Sequence, residues 1–472
     1  MERIRRQMIL AAACTLVLSA CTVGPDYVQP EFPTVPDTWN TAAIDGLAEG
    51  EAPVQTWWTL FDDATLTSLI ERAGESNLTI REAVWRVEEA RALRGVVAGE
   101  RGPQVNLGGG ANRIDTSDNT AVGENDTGNR FDLGVGATWE LDFWGRIRRE
   151  VEAADATVEA SVEDYRDVLV TLFSEVAITY VNVREQQERL RLAHENVNGQ
   201  EDTLKLTEER LRSGLVSSLD VAQAESNLAN TRSLIPTLNR SLALALNRLA
   251  VLLATSPGSL DEELGHPGAI PTEPDAVTTG LPADLLRQRP DVRSAERRLA
   301  AQTARIGVAT ADLYPQFSLG GFLGLAATSA GDLFNSDSVN WSIGLPVRWK
   351  LFASGAVRSQ IAAENARAGA LLANYERAVL VALEEVEDAM VSYETEVARR
   401  ALLSQSVDAT QRSLTLVLIQ YRAGLTDFQN VLDTQRSLLL REDELASSEA
   451  IVIKHLVDLY RALGGGWDPE LS

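Results

Sequence analysis

The stretch "FDLGVGATWELDFWGRIRREVEAADATVEASVEDY", residues 131–165, changes its period in the middle. Apolar residues take every second position through Phe131, Leu133, Val135, Ala137, Trp139 and Leu141, which is one face of a strand. Beyond Gly145 they fall every three or four, and Val151, Ala154, Val158, Val162, Tyr165, Leu169, Leu172 and Val176 form a helical stripe. A long strand therefore runs straight into a longer helix. "WKLFASGAVRSQIAAENARAGALLANY" repeats the pattern from Trp349.

The repeat extends in both directions. A shift of 210 residues aligns Trp139 with Trp349, Gly145 with Gly355, Arg148 with Arg358, Tyr165 with Tyr375, Glu175 with Glu385, Arg212 with Arg422 and Gly214 with Gly424. Upstream, a shift of 212 aligns "PQVNLGG" at Pro103 with "PQFSLGG" at Pro315. Each half reads helix, strand, strand, long helix, turn, helix. Residues 145–212 and 355–422 contain no proline, so each predicts one helix of roughly 100 Å at about 1.5 Å per residue. The helices expected near 77–102 and 216–254 in the first half, and near 290–311 and 426–463 in the second, stack end to end alongside the long ones. The first repeat thus covers 77–254 with a hairpin at 104–142, and the second covers 282–463 with a hairpin at 316–352. Breaker-rich segments at 21–76, 255–281 and 464–472 are left to form a belt around the waist of the helices.

No segment after Cys21 reads as a membrane helix; the longest charge-free tract, from Leu313, contains Pro315 and four glycines, whereas a spanning helix needs about 20 apolar residues. Four segments could cross as strands instead: Val105–Ala111, Phe131–Leu141, Phe317–Leu325 and the alternating run from Val339 to Leu351. Opposite the apolar positions stand Asp132, Thr138, Glu140 and Asp142 in the second strand, and Asn340, Ser342, Arg348 and Lys350 in the fourth. Four strands cannot close a barrel around a lumen, and an open edge in lipid leaves backbone groups without partners. The strands must then be pooled between copies. Three copies give twelve strands, within the range of outer-membrane barrels; two give eight, which side chains fill.

The N-terminus is a targeting segment rather than fold. Arg3, Arg5 and Arg6 precede the apolar run "MILAAACTLVLSA", which stops at Cys21, so residues 1–20 read as a signal peptide. "LSAC" resembles a lipoprotein signal, in which Cys21 becomes the lipidated first residue, and Thr22 after it is compatible with outer-membrane sorting. The only other cysteine, Cys14, lies in the removed segment, which leaves no disulfide and no cysteine nucleophile. The net charge of −25 falls to −27 when the segment's three arginines and one glutamate leave. A chain this acidic repels nucleic acid and anionic lipid.

Seven further stretches carry a resemblance: "CTVGPDYVQP" at Cys21, "WWTLFDDATLTSLI" at Trp57, "WELDFWGRIR" at Trp139, "LPADLLRQRPDVRSAERRLA" at Leu281, "LYPQFSLGG" at Leu313, "YRAGLTDFQNVLDTQRSLL" at Tyr421 and "RALGGGW" at Arg461. In this order, over essentially the whole mature chain, they are similar to the outer-membrane efflux ducts of the TolC-like family, in its lipoprotein (NodT/OprM-like) branch. The resemblance implies an α+β fold of mainly long helices, assembled as a homotrimer. Its twelve-stranded transmembrane barrel continues into a twelve-helix periplasmic α-barrel with an equatorial mixed belt. It implies a passive duct in the outer membrane lipid that receives drugs or other solutes from a periplasmic adaptor and an inner-membrane pump of the resistance-nodulation-division type. An exit duct for type I protein secretion is the alternative within the family. The resemblance also places a closed-state gate at Asp220, Tyr421, Arg422, Asp433 and Arg436, with Asn430 where some members carry a second acidic residue. Adaptor-docking turns fall at Arg212, Gly214, Leu215, Arg422, Gly424 and Leu425, where each long helix must reverse.

No enzyme class fits as well. His194, His266 and His455 are isolated, and the sequence holds no phosphate loop, metal-spaced cluster or nucleophile elbow, so neither cofactor nor metal is expected. A periplasmic adaptor would carry one helical hairpin between split biotinyl-like halves, not two strand pairs.

Overall fold

The computed structural model describes residues 22–30, 38–39, 47–48, 54–115, 128–274, 277–278 and 288–467. The expected signal segment, Cys21, the tip of the first hairpin, part of the 255–281 linker and the end of the C-terminal tail lie outside these residues.

The chain runs α1 (Ala64–Ser76), α2 (Leu78–Gly99), β1 (Gln104–Ile114), β2 (Gly128–Leu141), α3 (Arg146–Arg212) and α4 (Ser218–Leu252). It then repeats as α5 (Pro290–Ala311), β3 (Gln316–Ala327), β4 (Val339–Gly344), β5 (Val347–Arg348), α6 (Ala356–Arg422) and α7 (Phe428–Ala462). The helices of the two halves match in length: α2 and α5 each have 22 residues, α3 and α6 each 67, α4 and α7 each 35. One expectation is corrected. The run from Val339 to Leu351 is not one strand, because Pro346 has no N–H for the ladder and splits it into β4 and the two-residue β5.

Contacts divide the chain into two compact units. The first holds residues 1–31, 86–162 and 294–376, and its centre is one antiparallel sheet in the order β1-β2-β3-β4, with β5 also paired to β3. Residues directly opposite each other in a ladder share a face. The register sets Leu107 opposite Val135, Val135 opposite Leu323, and Leu323 opposite Trp341. The next rows on that face are Val105, Ala137, Gly321 and Ile343, then Leu133, Leu325 and Val339. The other face carries Asn106, Gly136, Phe322 and Ser342 in one row and Gly108, Gly134, Gly324 and Asn340 in another. Phe322 folds back over its own face so closely that a Cβ on Gly134 would lie 2.4 Å from its ring. The apolar face is bare: Leu107 is 74%, Leu323 60% and Trp341 71% exposed.

Below the sheet, equivalent tryptophans fix the strand ends in both repeats. Trp139 Nε1 donates to the Arg101 carbonyl at 2.8 Å and Trp349 Nε1 to the Leu313 carbonyl at 3.1 Å. Residues 22–30 are strapped across α3 and α5 of this unit. The Val23 amide donates to Trp144 O at 3.1 Å, Arg149 pairs with Asp26 at 2.6 Å, and the Tyr27 hydroxyl donates to Glu296 at 2.9 Å. Gly24, at φ +93°, lies where a Cβ would come 2.4 Å from Gly307 Cα, so only glycine fits the crossing.

The second unit holds residues 32–85, 163–293 and 377–472. Its aromatic core comes from "WWTLF": Trp57 is fully buried, stacks on Tyr460 at 5.7 Å, and meets Phe61 edge-on at 6.1 Å. Asp63 caps α1 by accepting from the Thr65 and Leu66 amides, and also accepts from the Tyr180 hydroxyl at 2.8 Å. The "RQRPDVR" motif forms an ion cluster. Arg289 pairs with Asp291 and Glu385 at 2.8 and 2.7 Å and donates to Ala462 O, while Glu163 takes both Arg166 and Arg293 at 2.8 Å. Both of the latter guanidinium groups lie on the ring of Trp467, at 4.5 and 5.4 Å.

Asp167 is the strained member of this neighbourhood. Burial first, and then the carboxylates of Asp291, Asp164 and Glu385 against the Arg289 cation, push its pKa from 3.8 up to about 6. The folded state therefore binds this proton more tightly than the unfolded state does. The stability it contributes is full below pH 3.8 and is lost as the pH rises through about 6. Asp167→Asn mimics the protonated form. It should raise stability at pH 8 by at most about 3 kcal/mol and change little at pH 4. Thermal midpoints of detergent-solubilised protein at the two pH values check this; equal shifts at both would contradict it.

Candidate functional site at the inner turns

Both long helices end in the same way, and the glycines explain how. Gly214 and Gly424 adopt φ +71° and +74°, the left-handed conformation in which an L-residue with a side chain is strained. The Gly214 amide donates to Leu211 O and the Leu215 amide to Arg210 O, both at 2.9 Å. The Gly424 amide donates to Tyr421 O at 3.0 Å and the Leu425 amide to Gln420 O at 2.9 Å. These pairs are the Schellman arrangement that satisfies the last carbonyls of a helix and reverses the chain. Leu215 and Leu425 are left 66% and 77% exposed at the two tips, beside the exposed Arg212 and Arg422.

The helices returning from these turns start differently. Asp220 forms a capping box at the start of α4: its carboxylate accepts from the Ser217 amide at 3.1 Å. In α7 the Asp427 cap makes no side-chain bond, and buried Phe428 takes the place of exposed Ser218. Phe428 packs at 5.4 Å against the ring of Tyr421 in a small core with Ala224, Val431 and Leu432.

The expected gate residues are brought to this end but not joined into one network within the chain. Tyr421 is 1% exposed and its hydroxyl has no hydrogen-bond partner among the described residues, while Asp220 is engaged by its own cap. Arg422 is exposed and its side chain makes no ion pair among the described residues. Asp433 accepts from Gln429 at 2.8 Å, and Arg436 donates to Asn227 at 3.0 Å. Asn430, the departure from the acidic pattern, donates to Thr426 at 2.8 Å.

Sequence reasoning missed Arg210. Its guanidinium lies 4.6 Å above the Tyr421 ring and donates to the carbonyls of Tyr421 and Arg422. No local pattern reveals this, since its partners stand a whole repeat away and the matching position there is Gln420.

A sheet apolar on one bare face, open at both edges and continued by paired helices that reverse at glycine turns, defines a subunit of a membrane channel. No helix among the described residues is long and apolar enough to cross a membrane. Residues 69–255 and 281–465 match the model of the outer membrane efflux protein family, one match to each repeat, and the chain belongs to that family. It is 30% identical over 464 residues to nodulation protein T of Rhizobium leguminosarum bv. trifolii, covering 96% of both proteins. It is 32% identical over 470 residues to the probable efflux pump outer membrane protein SepC of Pseudomonas putida, covering 97% of both. The outer-membrane channel OprN superposes with a TM-score of 0.89 at 38% identity, over 95% of this chain and all of that one. The chain is thus a passive efflux channel of the outer membrane that extends into the periplasm, and not an enzyme. Channels of this family work as trimers with periplasmic adaptors and inner-membrane pumps.

Proposed function

We propose that three copies of this chain close a twelve-stranded barrel on a twelve-helix periplasmic tube. The duct takes drugs or other small solutes from a resistance-nodulation-division pump, through an adaptor docked on the turns at Gly214 and Gly424. The ladder register carries this reading. It turns every apolar row to one side and, among the described residues, leaves the outer backbone groups of β1 and β4 unpaired, which lipid tolerates only if neighbouring copies pair them. In a strain lacking the chain, a fluorescent pump substrate should accumulate, and restoring the chain should reverse this only when pump and adaptor are present. Clearance without either would refute the tripartite reading.

Cys21 is the proposed lipid attachment point. Its neighbour Thr22 lies against Gly145, at the junction of β2 and α3, where a Cβ would come 2.7 Å from the Thr22 methyl. Cys21→Ser should lose palmitate labelling yet still assemble, because the strap bonds of residues 22–30 and the strands are untouched. Palmitate incorporated equally by the variant would overturn the assignment.

At the aperture, the proposed closed-state latch joins Tyr421 to Asp220 between neighbouring helix pairs, with Arg422, Asp433 and Arg436 around it. The place of Asp220 at the start of α4 and of Tyr421 beside the second turn supports this reading. A hydroxyl-to-carboxylate bond contributes about 1.5–3 kcal/mol. In planar bilayers Asp220→Ala and Tyr421→Phe should each raise conductance, and the double variant should add little, because both remove one interaction. Wild-type conductance in all three would leave both residues as structural only.

A further inference from the structure

We propose that Arg210 is the positioning residue that couples the two inner turns, holding the end of α6 against the end of α3 so that the aperture rests closed. The proposal rests on reading this end of the chain as the gate. Three observations converge on Arg210. It donates to the carbonyls of Tyr421 and Arg422, the latter at 3.0 Å, so one side chain from the first repeat seals the helix end of the second. Its guanidinium carbon covers the Tyr421 ring at 4.6 Å, and that ring is wedged against Phe428 in the core beneath the turn. No carboxylate pairs with it among the described residues, and its Nε is buried without a partner. Its charge is instead met by the negative end of the α6 dipole and by the face of an aromatic ring.

This chemistry is directional. The planar fork reaches two carbonyls while lying flat on the ring, whereas a lysine ammonium can serve only one of these tasks well. The second repeat offers nothing in return, since Gln420 stands where Arg210 stands in the first. The turn of α6 is therefore held by one grip, and without it the two tips are joined only by the packing of Tyr421 and its neighbours. Arg210 also reaches toward Gly424: a Cβ there would lie 3.8 Å from Nη2.

The test uses full-length trimer in planar bilayers, with thermal dissociation of the trimer measured in parallel. Arg210→Met keeps the length and packing of the stem, Arg210→Ala removes both, and Arg210→Lys keeps the charge. Met and Ala should each raise resting conductance several-fold while the trimer's thermal midpoint stays at the wild-type value, and Lys should fall between them and wild type. A folded Arg210→Met trimer with wild-type conductance would overturn the proposal, and so would a rise seen with Ala alone, which would trace the effect to packing rather than to the grip. Asp220→Ala separates the two readings. If it raises conductance and Arg210→Met does not, only the role of Arg210 falls; if neither does, the gate reading falls with it.

Discussion

Leu323→Arg should abolish insertion of the assembled channel, while Ser342→Arg should be tolerated. Leu323 lies on the inner strand β3 in the row Leu107, Val135, Leu323 and Trp341, and it is 60% exposed on the apolar face. An arginine facing lipid near the bilayer midplane costs about 2–4 kcal/mol. Three copies in a trimer incur that cost together, which is comparable with the whole stability of a typical domain. Ser342 sits on the neighbouring strand one position along from Trp341, so its side chain points the other way, into the proposed lumen. The heat-resistant trimer band in outer-membrane fractions reads the outcome. Normal insertion of Leu323→Arg together with failure of Ser342→Arg would mean that the two faces had been assigned the wrong way round.

The second large effect concerns the turns. Replacing Gly214 and Gly424 together with valine should abolish drug resistance at normal expression while the trimer still forms. A Cβ at Gly214 would meet nothing, and one at Gly424 only the Arg210 tip at 3.8 Å, so the cost is conformational rather than steric. Holding an L-residue in the left-handed region costs roughly 1–2 kcal/mol, and a β-branched side chain exceeds that. The turn escapes by abandoning its geometry, which releases the amide bonds of residues 214–215 and 424–425 and moves the exposed Leu215 and Leu425. The cores far along the helices, such as that around Trp57 and Tyr460, are unaffected. Asparagine tolerates this conformation, so the double asparagine variant should keep most of the resistance. Full resistance in the double valine variant would argue against docking at these tips.

Most of the architecture was legible in the chain because its signals are local and occur twice. The change of period after Gly145, the same change after Gly355, and glycines 214 and 424 placed the long helices to within a residue. The seven stretches then pointed to the family that the comparisons show. Where sequence reading failed, the reason was equally local. Alternation alone could not show that Pro346 interrupts the fourth strand, because a proline disturbs the ladder and not the apolar pattern.

The sequence by itself determined that this protein has long helices, strands of alternating apolar and polar residues, two repeats and turns made of glycine, since each follows from backbone sterics and from apolar period along neighbouring residues. Only the tertiary structure decided which residues face each other across those elements. Register aligned Leu107, Val135, Leu323 and Trp341 into one apolar row, although more than 200 residues separate the first from the last. The same holds for Arg289 on Glu385, for Trp467 beneath Arg166 and Arg293, and for Arg210 on Tyr421, contacts that join distant parts of the chain. Side-chain pairing across such distances is set by how the helices pack, and packing energy depends on the three-dimensional neighbours of a residue, which its place in the chain does not specify.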